Sequence, residues 1–205
     1  MKFFQDPDKP LETCQEISCD KCNVCQDLNC HFNLHQLIQF LLNVSLVILL
    51  GGIGIYYYNP LLLIQWIVMF LLYFGLVEIR VMCSHCPHYA ETESSTLKCW
   101  ANYGSPKLWK YRPGPMSSAE KIIFILGLLV IWIYPIVLMM LSVNYIFIVL
   151  YLVFSLLAFN IMRKYMCSQC INFACPSNTV DNSIRGKFFK HNPEIGDAWE
   201  KEQNK

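Results

Sequence analysis

The chain has 205 residues, of which 55% are apolar and only 15% charged, and its mean hydropathy is +0.34. Soluble chains carry about 25% charged residues, so this composition excludes a disordered polar chain and argues against an ordinary soluble domain. The formal net charge is +1, and no nucleic-acid partner is expected from it.

In chain order, the first segment (1–35) is polar and dense in cysteine. Its opening, Met1-Lys2-Phe3-Phe4-Gln5-Asp6, turns polar at once and lacks an apolar core, so no cleaved leader is expected here. From Gln36 to Val77 there is no charged residue, and from Ile122 to Met162 there is none. Each stretch is about twice the roughly 20 apolar residues that one membrane helix needs. Each also has a polar break near its middle, at Tyr58-Asn59-Pro60 and at Ser142-Val143-Asn144-Tyr145. The pattern predicts an all-α integral membrane protein of two helical hairpins, with four spanning helices near 36–57, 61–80, 121–141 and 145–163. The organisation read from this is a Cys-rich segment (1–35), a first hairpin (36–81), a Cys-containing loop (82–120), a second hairpin (121–163) and a Cys-containing tail (164–205).

Four helices put both termini and the central loop on one face, together with every charged residue and all 11 cysteines. Near the helix ends that face carries Arg80, Lys110, Arg112, Lys121, Arg163 and Lys164, whereas the two hairpin tips carry no Lys or Arg. The positive-inside rule makes this face cytosolic, with both termini inside and the protein in the inner (plasma) membrane. Cytosolic thiols are kept reduced, so the cysteines read as metal ligands or catalytic thiols before disulfides.

The two hairpins end alike. Arg80-Val81-Met82-Cys83-Ser84-His85-Cys86 follows the first, and Lys164-Tyr165-Met166-Cys167-Ser168-Gln169-Cys170 the second. We read this as an internal repeat, each half a hairpin followed by a juxtamembrane C-x2-C, as parallel repeats in membrane proteins arrange equivalent elements around a shared axis. Each half adds a third cysteine, Cys99 and Cys175. A C-x2-C turn points two thiolates at one ion, and two such pairs complete a four-sulfur shell suited to Zn2+ or an iron–sulfur centre. Cys83, Cys86, Cys167 and Cys170 form such a shell if the ends of the second and fourth helices are adjacent. Cys99, Cys175, His85 and His88 are further candidate ligands.

The N-terminal run Cys14, Cys19, Cys22, Cys25, Cys30 is followed directly by His31. Its core, Cys19 to Cys30, resembles the bacterial ferredoxin run C-x2-C-x2-C-x3-C-P, with one residue more before the last Cys and His31 in place of Pro. The same residues also fit the buried stripe of a short helix, with no packing partner legible in the sequence. How eleven cysteines divide among sites stays open.

Several further features are weighed on their residue types. The loop from Ala101 to Met116 mixes Lys107, Trp109, Lys110, Tyr111 and Arg112, and reads as an interfacial anchor rather than a phosphate site. Ser117 and Glu120 read as a capping box opening the third helix. Pro135 should kink that helix. Asn43, Gln65 and Asn160 read as interhelical hydrogen-bonding groups, and Glu78 as either a functional carboxylate or a solvated one at the membrane edge. Phe188, Phe189 and Trp199 are available for docking a short helix in the tail.

Thiolate metal sites, structural or sensing, are the function these residues express most directly. The layout of four helices with Cys-Pro motifs and a ferredoxin-like run is similar to membrane quinol-dehydrogenase components. That resemblance implies electron transfer through iron–sulfur centres, with quinone and a redox partner on the cytosolic face. Those components use C-x3-C-P, whereas here Cys83 to Pro87 reads C-x2-C-P and Cys170 to Pro176 reads C-x4-C-P. A membrane thiol–disulfide oxidoreductase is the third reading, and it requires a depressed thiol pKa.

Overall fold

The structure is a computed structural model that describes residues 9–19 and 22–203. The leader expectation at residues 1–6 and the polar residues Asp20 and Lys21 lie outside the described residues. The elements are α1 (Asn23–Asp27), α2 (Leu34–Tyr58), α3 (Pro60–Leu72), a π-helical turn (Tyr73–Val77), α4 (Glu78–Val81), α5 (Pro87–Ala90), α6 (Ser118–Leu141), α7 (Tyr145–Tyr165), α8 (Asn182–His191) and α9 (Pro193–Gln203). Among the described residues the chain is all helical apart from one isolated bridge between Thr96 and Pro106.

Four segments are long and apolar enough to cross a membrane: Leu34–Tyr58, Pro60–His85, Ser118–Leu141 and Tyr145–Gln169. They match the four expected helices, with ends extended by local capping. Asn33 accepts a hydrogen bond from the His35 N–H, so α2 starts at Leu34 rather than at residue 36. Asn59 does the same for Leu61 with Pro60 in the first helical position, which reduces the first hairpin tip to one residue between helices. The Ser117–Glu120 capping box is formed, and it starts α6 at Ser118, three residues before the expected 121.

Most large apolar side chains of these helices face outward, as lipid-facing surfaces do, while the packing interior is narrow. In that interior α2 and α6 form a central pair, and α3 and α7 flank it on opposite sides. Small residues permit the close approach. Gly51 sits against Tyr151, Pro135 and Trp66, Gly54 against Met139, and Gly127 under the Tyr73 ring, where an added methyl would overlap it.

Two of the three polar groups expected to bond between helices do so. Asn43 donates to the Ala158 carbonyl across α2 and α7 at 2.9 Å, and the Tyr134 hydroxyl donates to Gln65 at 3.3 Å. Asn160 differs from expectation: its amide donates to Leu156 of its own helix at 2.7 Å, because the side chain is exposed and no neighbour faces it. Pro135 lies inside an otherwise continuous α6 and withdraws the N–H that would have bonded Ile131. The Trp66 indole supplies the missing donor to the Ile131 carbonyl, at 3.0 Å.

The remaining segments fold into a cap on the face where both termini lie. One apolar cluster joins the end of the second span (Ile79, Val81, Met82, Cys83) to the central loop (Leu97, Met116) and to Ala174 of the tail. A second joins the N-terminal segment (Leu11, Val24, Leu28, Cys30) to Cys86 and to the tail (Ile171, Phe173, Phe188, Ile195). The tail helices dock as expected: Phe188 is buried and Phe189 packs on Trp199 with ring centroids 5.7 Å apart.

Candidate metal centres

The N-terminal cysteines are presented by three-residue steps of backbone. Cys22 N–H donates to the Cys19 carbonyl at 3.1 Å, and Cys25 N–H to the Cys22 carbonyl at 3.2 Å, leading into the single turn of α1. Such steps put Cys19, Cys22 and Cys25 on one side. That side faces a small cavity lined also by Cys14 and Cys30 and closed by Leu11, Phe188, His191 and Asn192. The cavity volume is about 20 Å3. The apolar stripe and the ligand set are therefore the same face, and the packing partner missing from the sequence reading is α8. The segment is fastened there by polar contacts: Thr13 donates to Asn192 at 2.8 Å, Gln15 N–H to the His191 carbonyl at 2.9 Å, and His191 pairs with Glu16 at 2.7 Å.

Within this site the ligand atoms of Cys19, Cys25 and His31 all lie within 4.8 Å of one another. His31 enters because it follows Cys30 directly; its Nε2 is 3.8 Å from Cys19 Sγ and 2.7 Å from the Lys9 carbonyl oxygen. Two soft sulfurs and an imidazole are a donor set that takes zinc-type ions. Burial, the largest cause, pushes the Cys14 and Cys25 thiols up and takes Cys30 to about 12. Neighbouring thiols add to the effect at Cys25, whereas at Cys30 the hydrogen bond with Cys25 opposes it. A cation must therefore displace protons from these thiols to bind.

The six other cysteines lie at the junction of the bundle and the cap. The two C-x2-C turns have one backbone form. Met82 and Met166 end their helices at φ −119°, ψ −54° and φ −110°, ψ −49°, and Cys86 and Cys170 follow in extended conformation. Ser84 donates to the Arg80 carbonyl and Ser168 to the Lys164 carbonyl, each at 2.7 Å. The ends of the second and fourth spans are not brought together by helix packing, because α2 and α6 stand between α3 and α7. Instead the loop from Cys170 to Cys175 reaches across, and Asn172 donates to the Met82 carbonyl at 3.5 Å. This brings Cys175 against the same apolar cluster as Cys83, and Ile171 and Phe173 into the same cluster as Cys86. Burial pushes the Cys86, Cys99 and Cys170 thiols up and takes Cys175 to about 12.

Asn102 ties three of the groups together. Its backbone N–H donates to Cys99 Sγ at 3.2 Å, and its side-chain amide to Cys83 Sγ and to Glu78 Oε1, both at 3.3 Å. Glu78 is buried rather than solvated, and its Oε2 has no hydrogen-bond partner. Arg80, its neighbour in sequence, turns away to Glu120, which also holds Arg112 at 2.6 Å. Arg112 further donates to the Arg80 carbonyl and to Ser84. Arg112 is thus part of the cap's own framework, and the Trp109 backbone N–H donates to the Tyr89 hydroxyl at 2.8 Å.

Of the two candidate histidines of this loop, His85 is engaged elsewhere, whereas the buried His88 Nδ1 has no hydrogen-bond partner. His85 Nδ1 is 3.1 Å from the Gly114 carbonyl, with Nε2 3.5 Å from Glu120. His88 is fully enclosed, and burial lowers it to about 4. Sequence reasoning did not foresee the parts played by Glu16, Asn102 and His191, single polar residues with no motif around them.

No protein-family model matches the chain, and no curated protein or solved structure is significantly similar to it.

Proposed function

We propose that this chain is a four-helix integral membrane protein whose charged face is cytosolic and carries thiolate metal sites of structural or sensing role. The observation that carries the reading is the convergence of Cys19, Cys25 and His31 within 4.8 Å. Zinc held by thiolate at about 2.3 Å and by imidazole at about 2.0 Å needs only a small contraction from that spacing. Cys22 and Cys30, lining the same cavity, are the sources of a fourth donor. A single Zn2+ is the plainest occupant of such a donor set, since two thiolates, one imidazole and one further donor complete its tetrahedral shell. The Cys14, Cys25, Cys30, Cys86, Cys99, Cys170 and Cys175 thiols are raised by burial, the reverse of the depressed pKa that a nucleophilic thiol requires; at these residues this weighs against thiol–disulfide exchange. The six cysteines outside this segment, Cys83, Cys86, Cys99, Cys167, Cys170 and Cys175, are candidates for further thiolate ligation at the membrane edge. The matched turns at Cys83–Cys86 and Cys167–Cys170 support an internal repeat.

The test is metal content and a visible absorption spectrum on full-length protein purified anaerobically in mild detergent. Bound zinc without a visible band, lost on C19S/C25S substitution, is the expected result. Iron with sulfide and a broad brown absorption would replace this reading with membrane electron transfer. Metal-free protein with titratable reactive thiols would replace it with thiol exchange.

A further inference from the structure

The N-terminal cavity is lined by five of the eleven cysteines, and elsewhere a buried carboxylate is left unexplained. Glu78 is 7% exposed, and one of its oxygens lacks any hydrogen-bond partner. Among the described residues it has no ion pair, since Arg80 and Arg112 both serve Glu120. An isolated buried carboxylate is costly unless a cation or a proton neutralises it. Sulfurs lie close by. Asn102 links the carboxylate directly to Cys83 and Cys99, and Cys175 packs in the same cluster as Cys83. Electrostatic coupling joins Glu78 to Cys83, Cys99 and Cys175 alike.

We propose that Glu78, Cys83, Cys99 and Cys175 form a second metal centre at the membrane edge, taking one zinc-type divalent ion through three thiolates and a carboxylate oxygen. It rests on the thiolate-metal reading for its chemistry and not on the N-terminal site for its geometry. The donors come from the second span, the central loop and the tail, so the ion would fasten three segments distant in sequence. The tail donor is Cys175 rather than the repeat-matched Cys167, because the loop after Cys170 is what reaches the first turn. These donors stand further apart than the Cys19–Cys25–His31 trio, which alone among the described residues meets the 4.8 Å spacing. Metal binding therefore draws Cys99 and Cys175 inward. Three thiolates and a carboxylate balance the ion's two positive charges with surplus negative charge, and the Asn102 amide donors offset part of it.

The experiment counts zinc per chain in full-length protein purified with Zn2+ in the medium, alongside C19S/C25S, C99S/C175S, E78Q and C167S. Two ions are expected in the parent chain, one in C19S/C25S, one in C99S/C175S and in E78Q, and two in C167S. Unchanged metal in both C99S/C175S and E78Q would overturn the second centre, as would a loss in C167S equal to that in C99S/C175S. A single ion lost only with C19S/C25S would overturn it while leaving the N-terminal site intact. A single ion lost only with C99S/C175S and E78Q would support it while removing the N-terminal site. Helix content and gel-filtration profile control for folding; should C99S/C175S fail them, the isosteric E78Q decides alone.

Discussion

At Ile131 a backbone carbonyl lost its partner to Pro135, and one indole on another helix restored it. The contact is a compensated pair, so its parts should be coupled. Trp66→Phe should destabilise the bundle by about 1 kcal/mol, the cost of a carbonyl left unpaired in a dry interior. In a Pro135→Ala background the helix regains its own N–H, and Trp66→Phe should cost markedly less. Equal costs in the two backgrounds, read from denaturant unfolding in detergent, would show that the indole acts by packing alone. His88 supplies a pH counterpart. Its folded pKa of about 4 lies below the ordinary value of 6.5, so between those values the unfolded chain binds the proton and the native chain does not. Stability should fall as pH drops from 6.5 towards 4, by at most about 1.4 kcal/mol per pH unit from this group, and should level off below. His88→Gln should flatten that limb, with chelator present in both samples so that acid release of metal does not enter.

Secondary elements act here chiefly as rims for the cysteine sites. The N-terminal segment has only one turn of helix of its own, and its apolar face has meaning only against α8. Phe188 is the contact that closes both the cluster and the cavity. Phe188→Ala should remove about 3–5 kcal/mol of packing, release the 9–33 segment to protease, and lower metal at the N-terminal site. A variant that keeps both its protease resistance and its metal would separate the site from its supporting helix. The π turn at Tyr73–Val77 works at the same scale. One extra residue in a turn rotates the downstream helix by about 100° relative to a straight one. That downstream helix is α4, with Glu78, Ile79 and Val81 all buried. The two C-x2-C turns were legible from spacing, whereas the placement of Cys175 and Glu78 depends on this rotation and on a loop crossing that no local pattern encodes.

Across the whole molecule charge and apolar surface are segregated along one axis. The proposed orientation follows from that segregation, because moving the Arg80–Arg112–Glu120 network and the basic helix ends across a bilayer is prohibitive. Reporter fusions at the two termini should both report the cytosol, and a membrane-impermeant thiol reagent applied outside intact cells should leave all eleven cysteines unlabelled. Labelling from outside would invert the topology and move the cysteines to an oxidising compartment, where disulfides would replace metal.

The four apolar helices, their short connections and the Ser117–Glu120 cap were readable in the sequence, whereas the Asn33 and Asn59 caps emerged only with the structure. Hydrocarbon surroundings admit few solutions for charge-free runs of this length, and Asn33, Asn59, Ser117 and Pro60 act on backbone within one turn of themselves. Cysteine spacing likewise announced thiol chemistry, since a C-x2-C turn is a local object. Tertiary structure alone decided which thiols meet. Helix packing set α2 and α6 between the two repeat-matched ends, the 170–175 loop bridged them, and α8 covered the N-terminal cluster. Those outcomes depend on contacts between residues tens of positions apart, and their energies come from burial that no single segment possesses on its own.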